Sequence, residues 1–65
     1  MTGNELRRIR DRLGLTQAAF AERLGVTPNT VARWERDEVS ISEPAARLAR
    51  LLIEIKTKPR GKGRR

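Results

Sequence analysis

Apolar residues recur at helical spacing along most of the chain, and each apolar run follows a residue that can cap a helix. In the first run, Leu6, Ile9 and Leu13 lie at i, i+3 and i+7 and share one helix face. Thr2 and Glu5 precede this run at the spacing of a capping box, in which each side chain accepts a hydrogen bond from the other residue's backbone. No strand-like alternation of useful length interrupts the pattern.

Three further runs follow the same scheme. Thr16, Thr27 and Ser42 are placed to cap them, and Gly25 is a natural stop for the second. Pro28 stands at the first helical position of the third, where its missing N–H is harmless. The predicted helices cover about residues 3–13, 17–24, 28–36 and 43–56. The chain is therefore predicted to be all-α, a compact bundle of four or five short helices.

The connection between helices 2 and 3 is short. Only residues 25–27 separate them, which is too little for antiparallel packing of two long helices. Such a turn fits a helix-turn-helix, in which the two helices cross at a large angle. An ordinary corner of a small bundle has the same turn, so the spacing alone leaves both interpretations open.

Helix 3 divides its residues between two faces. At about 100° per residue, Val31 and Trp34 fall on the inner half. The outer half holds Asn29, Ala32, Arg33 and Arg36. In the major groove Asn pairs with adenine and Arg with guanine, and the methyl group of Ala can contact a thymine methyl. This set predicts a DNA-reading face with Arg36 nearest to a phosphate; a solvated polar surface is the alternative.

Glu35 falls on the inner half of helix 3, where a carboxylate needs a partner. Arg10 lies beside the apolar stripe of helix 1. We predict an ion pair between Arg10 and Glu35 that ties helix 1 to helix 3 and keeps the carboxylate away from DNA phosphates. The alternative is that both side chains are exposed and unpaired.

Charge is unevenly distributed over the 65 residues, whose net charge is +7. Residues 1–56 contain 10 basic and 8 acidic side chains, a net of +2, whereas residues 57–65 contain 5 basic and no acidic ones. We therefore predict a disordered basic tail over residues 57–65 and a polyanionic partner. A tail that only improves solubility is the alternative.

Composition excludes several other classes of protein. The chain has no cysteine or histidine, which rules out disulfides and the usual zinc spacings. No apolar run approaches the roughly 20 residues of a membrane span, and Met1 leads straight into a capped helix rather than a signal peptide. We expect a cytoplasmic, nucleoid-associated protein with no membrane partner, no cofactor and no small-molecule ligand.

Residues 13–35, LGLTQAAFAERLGVTPNTVARWE, resemble the helix-turn-helix of the phage Cro/cI-repressor-like (XRE) family, and the likeness extends loosely over about residues 4–52. The matching residues are Leu15, Thr16, Gln17, Phe20, Ala21, Leu24, Gly25, Val26, Thr30, Val31, Trp34 and Glu35. The resemblance implies a lambda-repressor-like fold and binding to double-stranded DNA. The inward Arg10–Glu35 pair also recurs in that family.

The resemblance also implies roles for individual residues. Side chains at the starts of helices 2 and 3 would bind the DNA backbone, and those along the outer face of helix 3 would meet base edges. The expected phosphate contacts are Gln17, Thr27, Thr30 and Arg36. The expected base contacts are Pro28, Asn29, Ala32 and Arg33, of which Pro28 offers only an apolar contact.

The sequence departs from the family after helix 3. Asp37 and Glu38 stand where the family often has a glycine. Aspartate tolerates the left-handed conformation at modest cost. Two carboxylates beside a DNA-binding face would repel phosphate, so we expect both to turn away from it.

Helix 4 is too apolar for burial on one side, because its apolar positions span roughly 220° of the helical wheel. We assign Leu48, Leu51 and Leu52 to the core. The residues left for a second surface are Ala46, Ala49, Ile53 and Ile55. We predict a two-fold homodimer through helix 4, with half-sites about 10 bp apart. A monomer with an apolar flank is the alternative.

These observations favour a sequence-specific DNA-binding regulator, most simply a small repressor that binds an inverted-repeat operator. An antitoxin-like module whose helix 4 binds another protein is one alternative. A nonspecific nucleic-acid binder led by the basic tail is another. An enzyme is not expected, because the chain lacks histidine, cysteine, a carboxylate pair in a plausible cleft and a glycine-rich phosphate loop.

Overall fold

The computed structural model describes residues 1–57, which form four α-helices and no strand. The helices are α1 (Gly3–Leu13), α2 (Gln17–Leu24), α3 (Pro28–Glu35) and α4 (Glu43–Thr57). The all-α class is as predicted, and each helix begins and ends within one residue of the predicted bounds. Thr57 belongs to α4 rather than to the basic tail. The disorder predicted for the rest of the tail concerns residues 58–65, which lie outside the described part.

Each helix begins at the predicted capping residue. In α1 the capping box is complete, since the Glu5 N–H donates to Thr2 Oγ1 at 3.1 Å and the Thr2 N–H donates to Glu5 Oε1 at 2.8 Å. Thr16, Thr27 and Ser42 accept the corresponding backbone bonds at the starts of α2, α3 and α4. These bonds satisfy N–H groups that have no partner inside the helix.

The first three helices end in the same way, with a residue in the left-handed conformation. Gly14 has φ 70° after α1 and Gly25 has φ 77° after α2, while Asp37 has φ 60° after α3. In each case the N–H of that residue and the N–H of the next one bond carbonyls of the last turn, which is the Schellman ending. Asp37 thus occupies the position that glycine fills in the other two helices.

One hydrophobic core holds the four helices together. Leu6, Phe20 and Val31 are its largest fully buried side chains. The other buried members are Ala21, Leu24, Trp34, Ala45 and Ala49. Every helix supplies at least one of these residues, so the orientation of α3 is set by contacts with the whole domain.

The rotation of α4 corrects part of the predicted dimer surface. Ala46 is only 4% exposed and Ala49 is fully buried, so neither is available to a second chain. Leu51, which we assigned to the core, is instead 48% exposed. A very wide apolar arc does not determine which side of a helix faces inward, and the two small alanines are the side chains that α4 places against the domain. Ile53 is half-buried, and Ile55 remains exposed.

The start of α1 lies against the end of α3. A Cβ atom on Gly3 would be 2.3 Å from the carbonyl oxygen of Trp34 and 2.7 Å from that of Glu35. The Gly3 N–H donates to Asp37 Oδ1 at 3.0 Å. Gly3, which the sequence analysis did not single out, therefore permits the close approach that fixes the end of the third helix.

Candidate nucleic-acid interface

Helices α2 and α3 are joined by residues 25–27, and α3 buries the face that the sequence predicts. Val31 is fully buried and Trp34 nearly so. This orientation leaves Pro28, Asn29 and Arg33 exposed, while Ala32 is half-buried. No side-chain hydrogen bond to Asn29 is present within residues 1–57, so its amide is available to a ligand.

The starts of α2 and α3 differ from those of α1 and α4 in the charge of their first turns. Neither helix has an acidic residue in its first turn, whereas α1 has Glu5 and α4 has Glu43 there. Free N–H groups and the helix dipole make such a terminus favourable for phosphate. The two helices of the helix-turn-helix are therefore the ones whose N-termini lack a competing carboxylate of their own.

The predicted pair between Arg10 and Glu35 is present. Arg10 Nε donates to Glu35 Oε2 at 2.7 Å and Arg10 Nη2 donates to Oε1 at 3.3 Å. A further bond from Nη1 to the Leu15 carbonyl, at 3.0 Å, holds the guanidinium against the end of α1. Hydrogen bonding to Glu35 raises the pKa of Arg10. The Glu35 side chain is only 6% exposed, so its carboxylate requires partners within the domain.

Gln17 shares the same carboxylate. Its Nε2 donates to Glu35 Oε1 at 3.0 Å. An amide nitrogen carries two N–H bonds, so one remains for an outside acceptor. Gln17 is the first residue of α2, at the anion-favouring terminus described above. The expected role as a phosphate contact is chemically compatible with this geometry.

Thr27 and Thr30 form a hydroxyl pair at the start of α3, with their oxygens 2.8 Å apart. Thr27 Oγ1 also accepts the N–H of Thr30 at 3.2 Å. Because one hydroxyl donates to the other, the accepting hydroxyl keeps its own proton for another acceptor. The pair therefore retains a donor beside the predicted phosphate position.

The two acidic residues after α3 behave differently. Asp37 turns away from the outer face of α3 and bonds the start of α1, as expected. Glu38 does not turn away: its Oε2 accepts from Arg36 Nε at 2.7 Å, and its Oε1 lies 3.6 Å from Arg33 Nε. The expectation for Glu38 was wrong because the left-handed turn at Asp37 folds the chain back over the last turn of the helix. The bond from Arg36 lowers the pKa of Glu38.

A helix-turn-helix family model matches residues 6–54. The chain belongs to the Cro/cI-type helix-turn-helix (XRE) family. No curated protein and no solved structure matches it significantly. The matched region contains all of α2 and α3 and most of α1 and α4. This family consists of DNA-binding regulatory domains and is not typically enzymatic, which supports DNA-binding transcription regulation by this chain.

The chain has the helix-turn-helix of the XRE family but differs from the family in the segment that follows α3. Asp37 replaces the frequent glycine and adds a carboxylate that bonds Gly3, which a glycine lacks. Within residues 1–57 no helix combines the length and the apolar character that a membrane span requires.

Proposed function

We propose that the protein is a repressor that binds an inverted-repeat operator as a homodimer, with α3 of each protomer in the major groove. The observation that carries the proposal is the outer face of α3, which exposes an unbonded Asn29 amide in its first turn and two arginines at its other end, while the N-termini of α2 and α3 lack acidic residues. This combination matches what base edges and phosphates each require.

Base reading in this proposal is divided along α3. The Asn29 amide pairs with an adenine, and the Arg33 guanidinium pairs with a guanine. Pro28 and Ala32 make apolar contacts, for which a thymine methyl is the natural partner. Gln17, Thr27, Thr30 and Arg36 bind phosphates and set the register of the helix on the duplex. The last four give affinity and orientation without choosing a sequence.

The proposed dimer surface is a revised strip on α4. Leu51 and Ile55 are separated by one helical turn, and each is about half exposed, at 48% and 49%. Leu48 and Leu52, which are half-buried, lie beside them on the same helix. Ile53 is half-buried near the α1 side, so it contributes less than Ile55. Burying the strip against its symmetry mate would remove its two exposed large aliphatic side chains from water.

Selection of bound duplexes from a random pool tests the operator proposal. We expect an inverted repeat with half-site centres about 10 bp apart. Arg33→Ala should then cost about 1–3 kcal/mol on the selected site and relax preference at one base pair. Arg7→Ala removes the same charge from an exposed position on α1 and serves as the control. Equal losses on all sequences for Arg33→Ala would instead make Arg33 a phosphate contact.

Light scattering after size exclusion tests the homodimer. Leu51→Glu and Ile55→Glu should each give a monomer, because they place a charge in the apolar strip. Arg47→Glu, at an exposed position of the same helix, should leave the dimer intact. A wild-type chain that is already monomeric at micromolar concentration would contradict the proposal. It would favour a different protein as the partner of α4.

A nonspecific contribution from the basic tail is a second candidate function, favoured by the five basic residues after position 56. Deleting residues 58–65 separates the two. If α3 reads the operator, specificity persists while affinity and the salt dependence of binding fall. If the tail provides most of the binding, the deletion abolishes binding to every duplex, whatever its sequence.

A further inference from the structure

Glu38 joins the two exposed arginines of α3 through opposite oxygens of one carboxylate. Oε2 accepts from Arg36 Nε at 2.7 Å, and Oε1 lies 3.6 Å from Arg33 Nε. Both contacts are made at the Nε edge of the guanidinium. Within residues 1–57, no hydrogen bond from the terminal amino groups of either arginine is present, so these groups stay available to a ligand.

The position of this carboxylate is set by the backbone rather than by chance contact between long side chains. The Glu38 N–H donates to the Arg33 carbonyl at 2.9 Å, in the Schellman ending of α3. Asp37 supports the turn twice, through its left-handed conformation and through its bond to Gly3. The backbone of Glu38 is therefore held in a fixed position relative to Arg33. The bond from Arg36 lowers the pKa of this carboxyl group.

We propose that Glu38 is a positioning residue for base reading, which holds the Nε edge of Arg33 and Arg36 and leaves their terminal amino groups for DNA. This inference rests on the proposed function, since it requires that Arg33 reads a base. A guanidinium is a planar fork of donors, so holding one edge orients the other. An arginine that is ordered before binding loses less conformational freedom when it pairs with guanine.

A simpler role for Glu38 makes a different prediction. If its negative charge only repels phosphate, or only competes with DNA for the arginines, removing the charge strengthens binding to every sequence by the same factor. If Glu38 positions Arg33, the same change lowers discrimination at the base pair that Arg33 reads. The ratio of affinities for the selected site and for its single-base variants therefore separates the two roles.

Glu38→Gln is the decisive variant, because it removes the charge and nearly preserves the shape. We expect its affinity for unrelated duplex to stay level or rise, while discrimination at the Arg33 base pair falls about 2- to 10-fold, the equivalent of one side chain left to be ordered on binding. Glu43→Gln makes the same chemical change at the start of α4 and should leave that discrimination unchanged. Glu38→Ala, at an exposed position whose backbone alone makes the turn, should repeat the effect, with circular dichroism confirming the fold.

An Arg33→Ala background supplies the second readout. There, Glu38→Gln should not alter discrimination at all, since the residue through which it acts is gone. Undiminished discrimination in Glu38→Gln, or an equal loss with and without Arg33, would overturn the inference while leaving the proposed function standing. A wild-type protein that discriminates between no sequences would instead refute the proposed function, and the role of Glu38 with it.

Discussion

Replacing Gly3 by alanine adds a single methyl group at the contact between α1 and α3. The new carbon would lie 2.3 Å from the carbonyl oxygen of Trp34, whereas ordinary contact begins at 3.4 Å, so the gap is 1.1 Å too small. The obstructing atoms belong to the backbone and cannot rotate away. The start of α1 must therefore move outward, and the bond from the Gly3 N–H to Asp37 weakens with it.

The cost of this movement has two parts. Overpacking a well-packed contact costs about 1–3 kcal/mol, and backbone neighbours place this case at the upper end. Loss of the hydrogen bond adds about 1 kcal/mol. A domain of this size rarely has more than about 3–5 kcal/mol of stability. Gly3→Ala should therefore lose about 4 kcal/mol, which brings the domain close to its midpoint of unfolding near room temperature.

Urea denaturation followed by circular dichroism and Trp34 fluorescence measures the effect. Gly14→Ala is the matched control: nothing lies within 4 Å of a Cβ there, but φ is 70°. Its cost should be the backbone strain alone, about 1–2 kcal/mol. If Gly3→Ala proved as stable as Gly14→Ala, the close approach of α1 to α3 would be refuted.

Three other predictions concern the Arg10–Glu35 pair, the turn after α3 and the capping box of α1. Arg10→Met should destabilise the domain by about 1.5–3 kcal/mol in urea denaturation, because Glu35 is mostly buried and keeps only its bond from Gln17. Adding Glu35→Leu should recover most of this loss, and a double variant no better than the single one would contradict the pairing. Asp37→Ala should be less stable than Asp37→Gly by about 1–2 kcal/mol. Both variants lose the carboxylate, but only alanine is strained in the left-handed conformation. Equal stability of the two variants would argue against this strain. Hydrogen bonding from the Thr2 backbone lowers the pKa of Glu5 below its ordinary value of 4.5. The stabilisation is therefore complete above pH 4.5 and lost as the pH falls through the lower folded-state pKa, and Glu5→Gln should remove this part of the acid titration of stability.

The sequence alone predicts the features whose signals are local. Thr2 and Glu5 identify the start of α1 because a capping box involves only neighbouring residues. Gly25 marks the end of α2 for the same reason. The Arg10–Glu35 pair is a longer-range prediction, and it succeeds because each residue independently falls beside the inward face of its own helix.

The features that escaped prediction depend on distances between helices. The rotation of α4 is one, since an apolar arc of such width is compatible with several orientations and only packing chooses Ala49 over Leu51. The need for Gly3 is another. Glycine in the first turn of a helix is less favourable than alanine, and this mismatch was the available signal. The contact of Glu38 with the arginines follows from the left-handed turn at Asp37, which sequence reasoning allowed but did not require.

The shared carboxylate of Glu35 has a consequence for how DNA contacts add up. Glu35 is the last residue of α3, and its carboxylate accepts from Arg10 at 2.7 Å and from Gln17 at 3.0 Å, so a phosphate held by Gln17 would also constrain the rotation of α3 in the groove. In the proposed complex, backbone contact and base contact are then thermodynamically coupled. The free-energy losses of Gln17→Ala and of a substituted operator base should be non-additive, because a helix free to rotate penalises a wrong base less.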